Sequence, residues 1–268
     1  DLGDAELILS RLERLFLEGV KPRKLANLRE RFAHYGITEN PDGTLHGLPI
    51  WFIRYAETYI NIGYPNEKEV MQERKQTLRQ YNTLLFDVAS TYRLSQSEAE
   101  RKELAEIYVL LTRHLLDQGF EAGSGLGTLH HLGYSMRNFY TAPVIMQDVL
   151  KEAGLAEQVQ QAMEWFSGVG EVKVAPKEPG MDIDAFNTSL MGRMASVLML
   201  EDTPYKYAYM QALSRWIDNG MKHTEGLRPC FKRDGSVVHH KKSYPAYATG
   251  GFTGAVNAVW MLSKTGFA

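Results

Sequence analysis

From His239 to Tyr247 the sequence reads His-His-Lys-Lys-Ser-Tyr-Pro-Ala-Tyr. Two imidazoles, two ammonium groups and two phenols share this short stretch. A free imidazole titrates near about 6.5 and a free phenol near about 10. A histidine can therefore take a proton at neutral pH and a tyrosine can return one, while lysines hold an anion. The set suits proton abstraction from an acidic polymer. A second cluster, His130-His131-Leu132-Gly133-Tyr134-Ser135-Met136-Arg137, repeats these residue types earlier in the chain. Six basic residues between Lys222 and Lys242 (Lys222, Arg228, Lys232, Arg233, Lys241, Lys242) face only Glu225 and Asp234 as acids. Such an excess steers an anionic ligand or simply solvates a loop, and charge alone leaves both readings open.

Other chemistries find weaker support. There is no His-Glu-x-x-His and no cysteine pair, so a zinc site built by the protein alone is disfavoured. His130 and His131 are adjacent, so on a helix or strand they point in different directions and chelate poorly together. The glycine-rich run from Gly123 to Gly127 follows a helix rather than a strand and does not match a phosphate-binding loop. It is either a close approach to a ligand beside His130 or a plain turn. Asp182 and Asp184 could form the carboxylate pair of a glycosidase, but the first turn of a following helix is the preferred reading. The nominal glycosylation sequence Asn187-Thr188-Ser189 falls inside that helix and is discounted. Trp51, Tyr55, Tyr134 and Trp165 could stack on sugar rings, although core packing is the preferred role for each.

The elements that must position these groups are helical. Leu104, Ile107, Tyr108, Leu111 and Leu115 recur at three- and four-residue steps, with Ser97 and Glu100 as a capping box and Gly119 as terminator. Comparable patterns cover Asp4–Glu18, Arg23–Tyr35, Ile50–Ile62, Glu67–Tyr92, Met136–Ala153, Ala156–Phe166, Ile183–Leu200, Tyr205–Met221 and Phe252–Lys264. Val172–Val174 and Val237–His239 could each pair briefly as strands. Short Gly/Pro links favour antiparallel hairpins, and no fixed repeat is visible. One domain over residues 1–268 is expected, as a solenoid or an open toroid. Thr224–Gly251 has no helical pattern, and long irregular segments are often functional.

Bulk properties limit the remaining choices. The chain has 268 residues, 44% hydrophobic and 23% charged, with a net charge of −2, which is ordinary for a globular protein with a sizeable core. Cys230 is the only cysteine, which excludes an intrachain disulfide. No apolar run approaches the roughly 20 residues of a membrane span. Neither a membrane nor a nucleic acid is expected as partner. The chain starts at Asp1 without a signal peptide, and a mature product or a cut piece is the expectation.

Three motifs in order carry a family resemblance: the segment from His130 to Arg137; Phe186-Asn187-Thr188; and Arg228-Pro229, Lys232-Arg233-Asp234-Gly235 and His239 to Tyr247. Together they resemble the catalytic domain of bacterial chondroitin sulfate ABC lyases, best from about Gly125 onward. The resemblance implies an all-α fold, an incomplete α/α toroid of antiparallel helical hairpins with a long irregular loop at a polysaccharide cleft. It also implies β-sandwich domains that this chain lacks, and a periplasmic or secreted bacterial location. The family's catalytic His maps to His240, its Tyr to Tyr247, and a further histidine at the substrate to His131. Its catalytic Arg and Glu are expected from later sequence. Substrate contacts are expected from His130, Tyr134, Arg137, Asn187, Arg233, His239, Lys241, Lys242 and Tyr244. A divalent cation, calcium or magnesium, is the cofactor candidate, with no ligand set assigned.

The implied substrate is a sulfated glycosaminoglycan, cleaved by β-elimination. A base removes the uronate C5 proton, the C4–O bond breaks, and a C4=C5 unsaturated uronate results. The carboxylate beside C5 must be neutralised as charge develops, by His131 with Asn187 or a cation. Glucuronate and iduronate present C5–H on opposite faces, and His240 and Tyr247 would divide the work between them. Two other readings stay open: a hydrolase on a similar helical toroid, and a non-catalytic glycan-binding module.

Overall fold

The computed structural model describes residues 2–50, 78–124 and 130–268. The expected helix Ile50–Ile62, the first part of Glu67–Tyr92, the platforms Trp51 and Tyr55, most of the glycine run and the side chains of His130 and His131 lie outside the described residues.

The fold is all-α. Helices α1 (Leu2–Leu17), α2 (Leu25–His34), α3 (Leu78–Leu94) and α4 (Glu98–Asp117) are followed by α5 (His130–Ile145), α6 (Gln147–Glu152) and α7 (Ala156–Ser167). A 3-10 helix (Val169–Lys173) and a π-helical turn (Ala185–Ser189) precede α8 (Leu190–Leu198), α9 (Pro204–Met221) and α10 (Pro245–Leu262). Among the described residues two antiparallel ribbons interrupt the series: β1 (Thr38–Glu39) with β2 (Leu45–His46), and β3 (Val238–His239) with β4 (Lys242–Ser243). Among the described residues no helix is long and apolar enough to cross a membrane.

Local chemistry sets many of the ends. Ser97 Oγ accepts from the Glu100 amide at 3.3 Å, which is half of the expected capping box. The Glu100 carboxylate goes instead to Ser95 Oγ at 3.0 Å. Gly119 (φ 88) follows α4 as the terminator, and Gly168 (φ 64) caps α7 in the left-handed region that costs glycine nothing. Thr203 caps α9 and Pro204 sits in its first turn.

Helix α3 packs against both α4 and α5, and α8 against α5 and α7. Their apolar faces make one continuous core containing Tyr81, Leu84, Leu111, Met136, Phe139, Leu190 and Met194. The buried Tyr81 hydroxyl donates to Leu111 O at 2.5 Å. Asn82 Nδ2 donates to Ser135 O at 2.9 Å and ties α3 to the start of α5.

Four expectations are corrected. The helix expected over Met136–Ala153 runs through Pro143 and breaks at Met146, whose backbone (φ −103, ψ 20) leaves the helical region. The helix expected over Ile183–Leu200 opens with the π-helical turn. Val172 lies in a 3-10 helix rather than a strand. Thr224–Gly251 is not irregular throughout: Val238–His239 pairs with Lys242–Ser243, and α10 starts at Pro245, so Tyr247 stands on its first turn.

Candidate active site

Three pieces of chain converge: the start of α5, the segment Asp182–Ser189, and the β3–β4 hairpin leading into α10. Small residues permit the approach. A Cβ on Gly133 would meet Thr188 Cβ at 3.0 Å, so α5 lies directly against the π-helical turn. Along α10, a Cβ on Gly250 would lie 2.5 Å from Asn187 Oδ1, one on Gly251 would lie 1.9 Å from Ile183, and one on Gly254 would lie 2.3 Å from the Phe186 carbonyl oxygen. The Thr-Gly-Gly-Phe-Thr-Gly run of α10 is therefore what lets this helix, and Tyr247 with it, dock on Asp182–Ser189.

The hairpin aims the histidines. Val238 pairs with Ser243 and His239 with Lys242. This leaves His240 and Lys241 as a two-residue loop with φ 50 and 59, the backbone that a primed hairpin turn demands. Neither is glycine, and such conformations cost of order 1–3 kcal/mol each. The turn exposes His240 and points His239 inward, where it is 2% exposed.

The rings form one cluster. The His239 ring centroid is 3.7 Å from His240, 5.3 Å from Tyr244 and 5.0 Å from Tyr247. Tyr244 lies 4.9 Å from Tyr247 and 6.0 Å from His240, bridging the two. Beneath them, His239 Nδ1 is 3.5 Å from Asp182 Oδ1 and His239 Nε2 is 3.7 Å from Asp184 Oδ2. Both separations are within ion-pair reach, but neither ring nitrogen makes a hydrogen bond.

The carboxylates are themselves held. Asp182 Oδ1 accepts from the Asp184 amide at 2.8 Å, the expected helix-start role. Asp184 Oδ1 accepts from the Tyr134 hydroxyl at 3.1 Å. Burial, then the Asp184 charge, pushes the Tyr134 phenol up to about 12. Asn187 Nδ2 donates to the Tyr134 oxygen at 3.4 Å. The Arg137 guanidinium donates to Asn187 O and, at 3.2 Å, to Asn187 Oδ1, and lies 4.8 Å over the Tyr134 ring. Its burial lowers the Arg137 pKa.

Of the sequence candidates, His239, His240, Tyr244, Tyr247, Tyr134, Arg137 and Asn187 thus share one neighbourhood. Lys242 joins at the rim, with Nζ 5.3 Å from the Tyr244 ring centroid, and Lys241 is exposed at the turn. Arg137, expected as an anion holder, also fixes Asn187 through one of its guanidinium nitrogens. Arg233 lies apart from these rings and lines an apolar groove with Phe252, Val256 and Trp260, on the side of α10 away from the glycine face. Half of the basic excess is neutralised or tied locally. Lys222 pairs with Asp218 at 3.3 Å, Arg228 with Glu178, and Lys232 Nζ donates to Thr224 Oγ1 and to two carbonyls. His130 and His131 open α5, and their side chains lie outside the described residues. Trp165 is 39% exposed and donates its indole N–H to Ser124 O at 3.1 Å, remote from the cluster in sequence and contacts.

Sequence reasoning passed over Asp182 and Asp184 as site residues, and here they face the buried imidazole. The Asp-x-Asp spacing was the available signal. A carboxylate oxygen of each and a His239 nitrogen all lie within 4.8 Å of one another.

A family described as "Lyase, catalytic" matches residues 1–268, and the chain belongs to it. It is 37% identical over 250 residues to the chondroitin sulfate ABC exolyase of Bacteroides thetaiotaomicron, covering 93% of this chain and 25% of that protein. It is 31% identical over 271 residues to the chondroitin sulfate ABC exolyase of Proteus vulgaris, covering 91% and 27%. The chondroitin sulfate ABC endolyase of Proteus vulgaris is 29% identical over 282 residues, covering 100% and 27%. The chain spans about a quarter of the length of these relatives.

Proposed function

We propose that this chain is the helical catalytic domain, over residues 1–268, of a lyase that cleaves chondroitin and dermatan sulfate by β-elimination. The observation that carries the reading is the contiguous cluster of His239, His240, Tyr244 and Tyr247 beside the Tyr134–Asn187–Arg137 network. The fold of the domain is read as an incomplete toroid whose cleft runs past the β3–β4 turn. The location is read as periplasmic or extracellular, where the polymer is met.

His240 and Tyr247 exchange protons with the uronate. The base takes the C5 proton, the electron pair forms the C4=C5 bond, and the C4–O bond breaks as the leaving oxygen receives a proton. A positioned acid or base contributes roughly 10²–10⁴-fold. Asn187, clamped by Arg137 and Tyr134, offers an amide to the substrate carboxylate, and fixed donors of this kind stabilise charge that develops in the transition state. His131 assists from the start of α5. Lys241 and Lys242 hold sulfate or carboxylate at the rim.

The test is digestion of chondroitin sulfate and of dermatan sulfate by the intact protein. New ultraviolet absorbance from unsaturated uronate, appearing in step with new reducing ends, supports the reading. Reducing ends without that absorbance mean hydrolysis and overturn it.

A further inference from the structure

We infer that Asp182, Asp184 and His239 form a binding site for a divalent transition cation of the manganese-to-zinc series. The inference starts from an imidazole with no hydrogen-bonding partner. His239 is 2% exposed, and both of its ring nitrogens lack a hydrogen bond. Buried polar groups in native proteins are nearly always satisfied, and an unpaired one points to a missing partner such as an ion. A carboxylate oxygen stands beside each nitrogen: Asp182 Oδ1 is 3.5 Å from Nδ1 and Asp184 Oδ2 is 3.7 Å from Nε2.

The donor set fits a metal. One oxygen from each aspartate and one imidazole nitrogen lie within 4.8 Å of one another. Zinc-to-ligand distances of about 2.0–2.2 Å require donors about 3.3–3.6 Å apart in a tetrahedral site; the aspartates stand beside opposite ring nitrogens, so the ion takes one nitrogen and the exposed Asp182 swings to close the set. The ligands are also oriented from behind. Tyr134 donates to Asp184 Oδ1 and the Asp184 amide donates to Asp182 Oδ1, the outer support that metal-binding carboxylates usually have.

The imidazole decides the class of ion. Calcium and magnesium, the candidates the sequence resemblance raises, take oxygen ligands. A nitrogen donor with two carboxylates suits manganese, iron, cobalt or zinc. Three protein ligands also leave a position open, as in reactive rather than structural sites. Asp182 is 58% exposed against 6% for Asp184, so the open side lies toward solvent at Asp182. An anionic oxygen of a ligand can complete the shell there.

Cobalt(II) is the direct probe, because its visible absorption reports the ligand set and needs no turnover. Untagged intact protein, stripped with chelator, is titrated with Co²⁺, and then Zn²⁺ is added to displace it. The expected result is a saturable Co²⁺ band that Zn²⁺ abolishes. His239→Gln should remove it, and Asp182→Asn should weaken Co²⁺ binding at least about tenfold. Asp182→Asn keeps an acceptor for the Asp184 amide at an exposed position, so the fold survives that change, and an unaltered thermal midpoint verifies this. Absence of a saturable band up to millimolar Co²⁺, or a band that neither substitution alters, overturns the inference. The readout is independent of lyase activity, so its failure and that of the proposed reaction are distinguishable.

Discussion

Gly254→Ala probes how α10 delivers Tyr247 to the site. A Cβ at this position would stand 2.3 Å from the Phe186 carbonyl oxygen and 3.0 Å from its carbon. Carbon atoms settle at about 3.5–4.0 Å, so α10 must retreat from the π-helical turn by about 1 Å. Overpacking of this kind costs about 1–3 kcal/mol. Alanine returns about 0.5–1 kcal/mol over glycine within a helix. The net loss is at most about 2.5 kcal/mol, or a fall of up to about 10 °C in Tm for a domain of this size. Tyr247 stands two helical turns earlier on the same helix, and a misplacement of 1 Å can cost about 10²-fold in rate. The assays are thermal unfolding and steady-state elimination on chondroitin sulfate. The expected outcome is a modest stability loss with a much larger loss in kcat. A variant as stable as the parent with unchanged kcat would refute the idea that this glycine face sets the position of Tyr247.

Two further predictions concern the core. Cys230 is fully buried, and burial pushes its thiol up to about 12 from the usual 9.0. The folded state therefore keeps the thiol neutral while the unfolded chain ionises it, so this contribution to stability is intact below about pH 9 and declines from there toward pH 12. Native protein should resist alkylation at pH 8, react once unfolded, and lose part of its alkaline destabilisation in Cys230→Ala. The Tyr140 hydroxyl is buried without a hydrogen bond. Tyr140→Phe removes an unsatisfied group, so chemical denaturation should show stability unchanged or raised by about 1 kcal/mol, with no effect on turnover.

The sequence and the structure agree where local signals decide. Helix α4 follows its apolar spacing and Ser97 cap, and α7 and α9 each run one residue beyond the expected Ala156–Phe166 and Tyr205–Met221. The clustering of His239, His240, Tyr244 and Tyr247 was legible because all four lie within one short segment and the family motif names them. Long-range pairings were not. Asp182 and Asp184 read as a helix start, which they are, and nothing local says that a histidine from a distant hairpin will sit over them. The π-helical turn uses the same residue pattern as an α-helix, and it lies where α10 approaches closely at Gly250 and Gly254. The basic excess looked free because Asp218 and Glu178, which neutralise Lys222 and Arg228, lie outside the stretch that was counted. The signal for starting α10 at Pro245 was present, since proline favours the first helical turn, but the glycines that follow concealed the helical pattern.

The most direct measurement is ultraviolet-detected elimination by His240→Ala and Tyr247→Phe variants of the intact protein, on glucuronate- and iduronate-containing polymers, alongside direct glycan binding. Loss of turnover by about 10² or more on at least one epimer in each variant, with binding retained, is the predicted result. Turnover within twofold of the parent on both polymers in either variant would contradict the account.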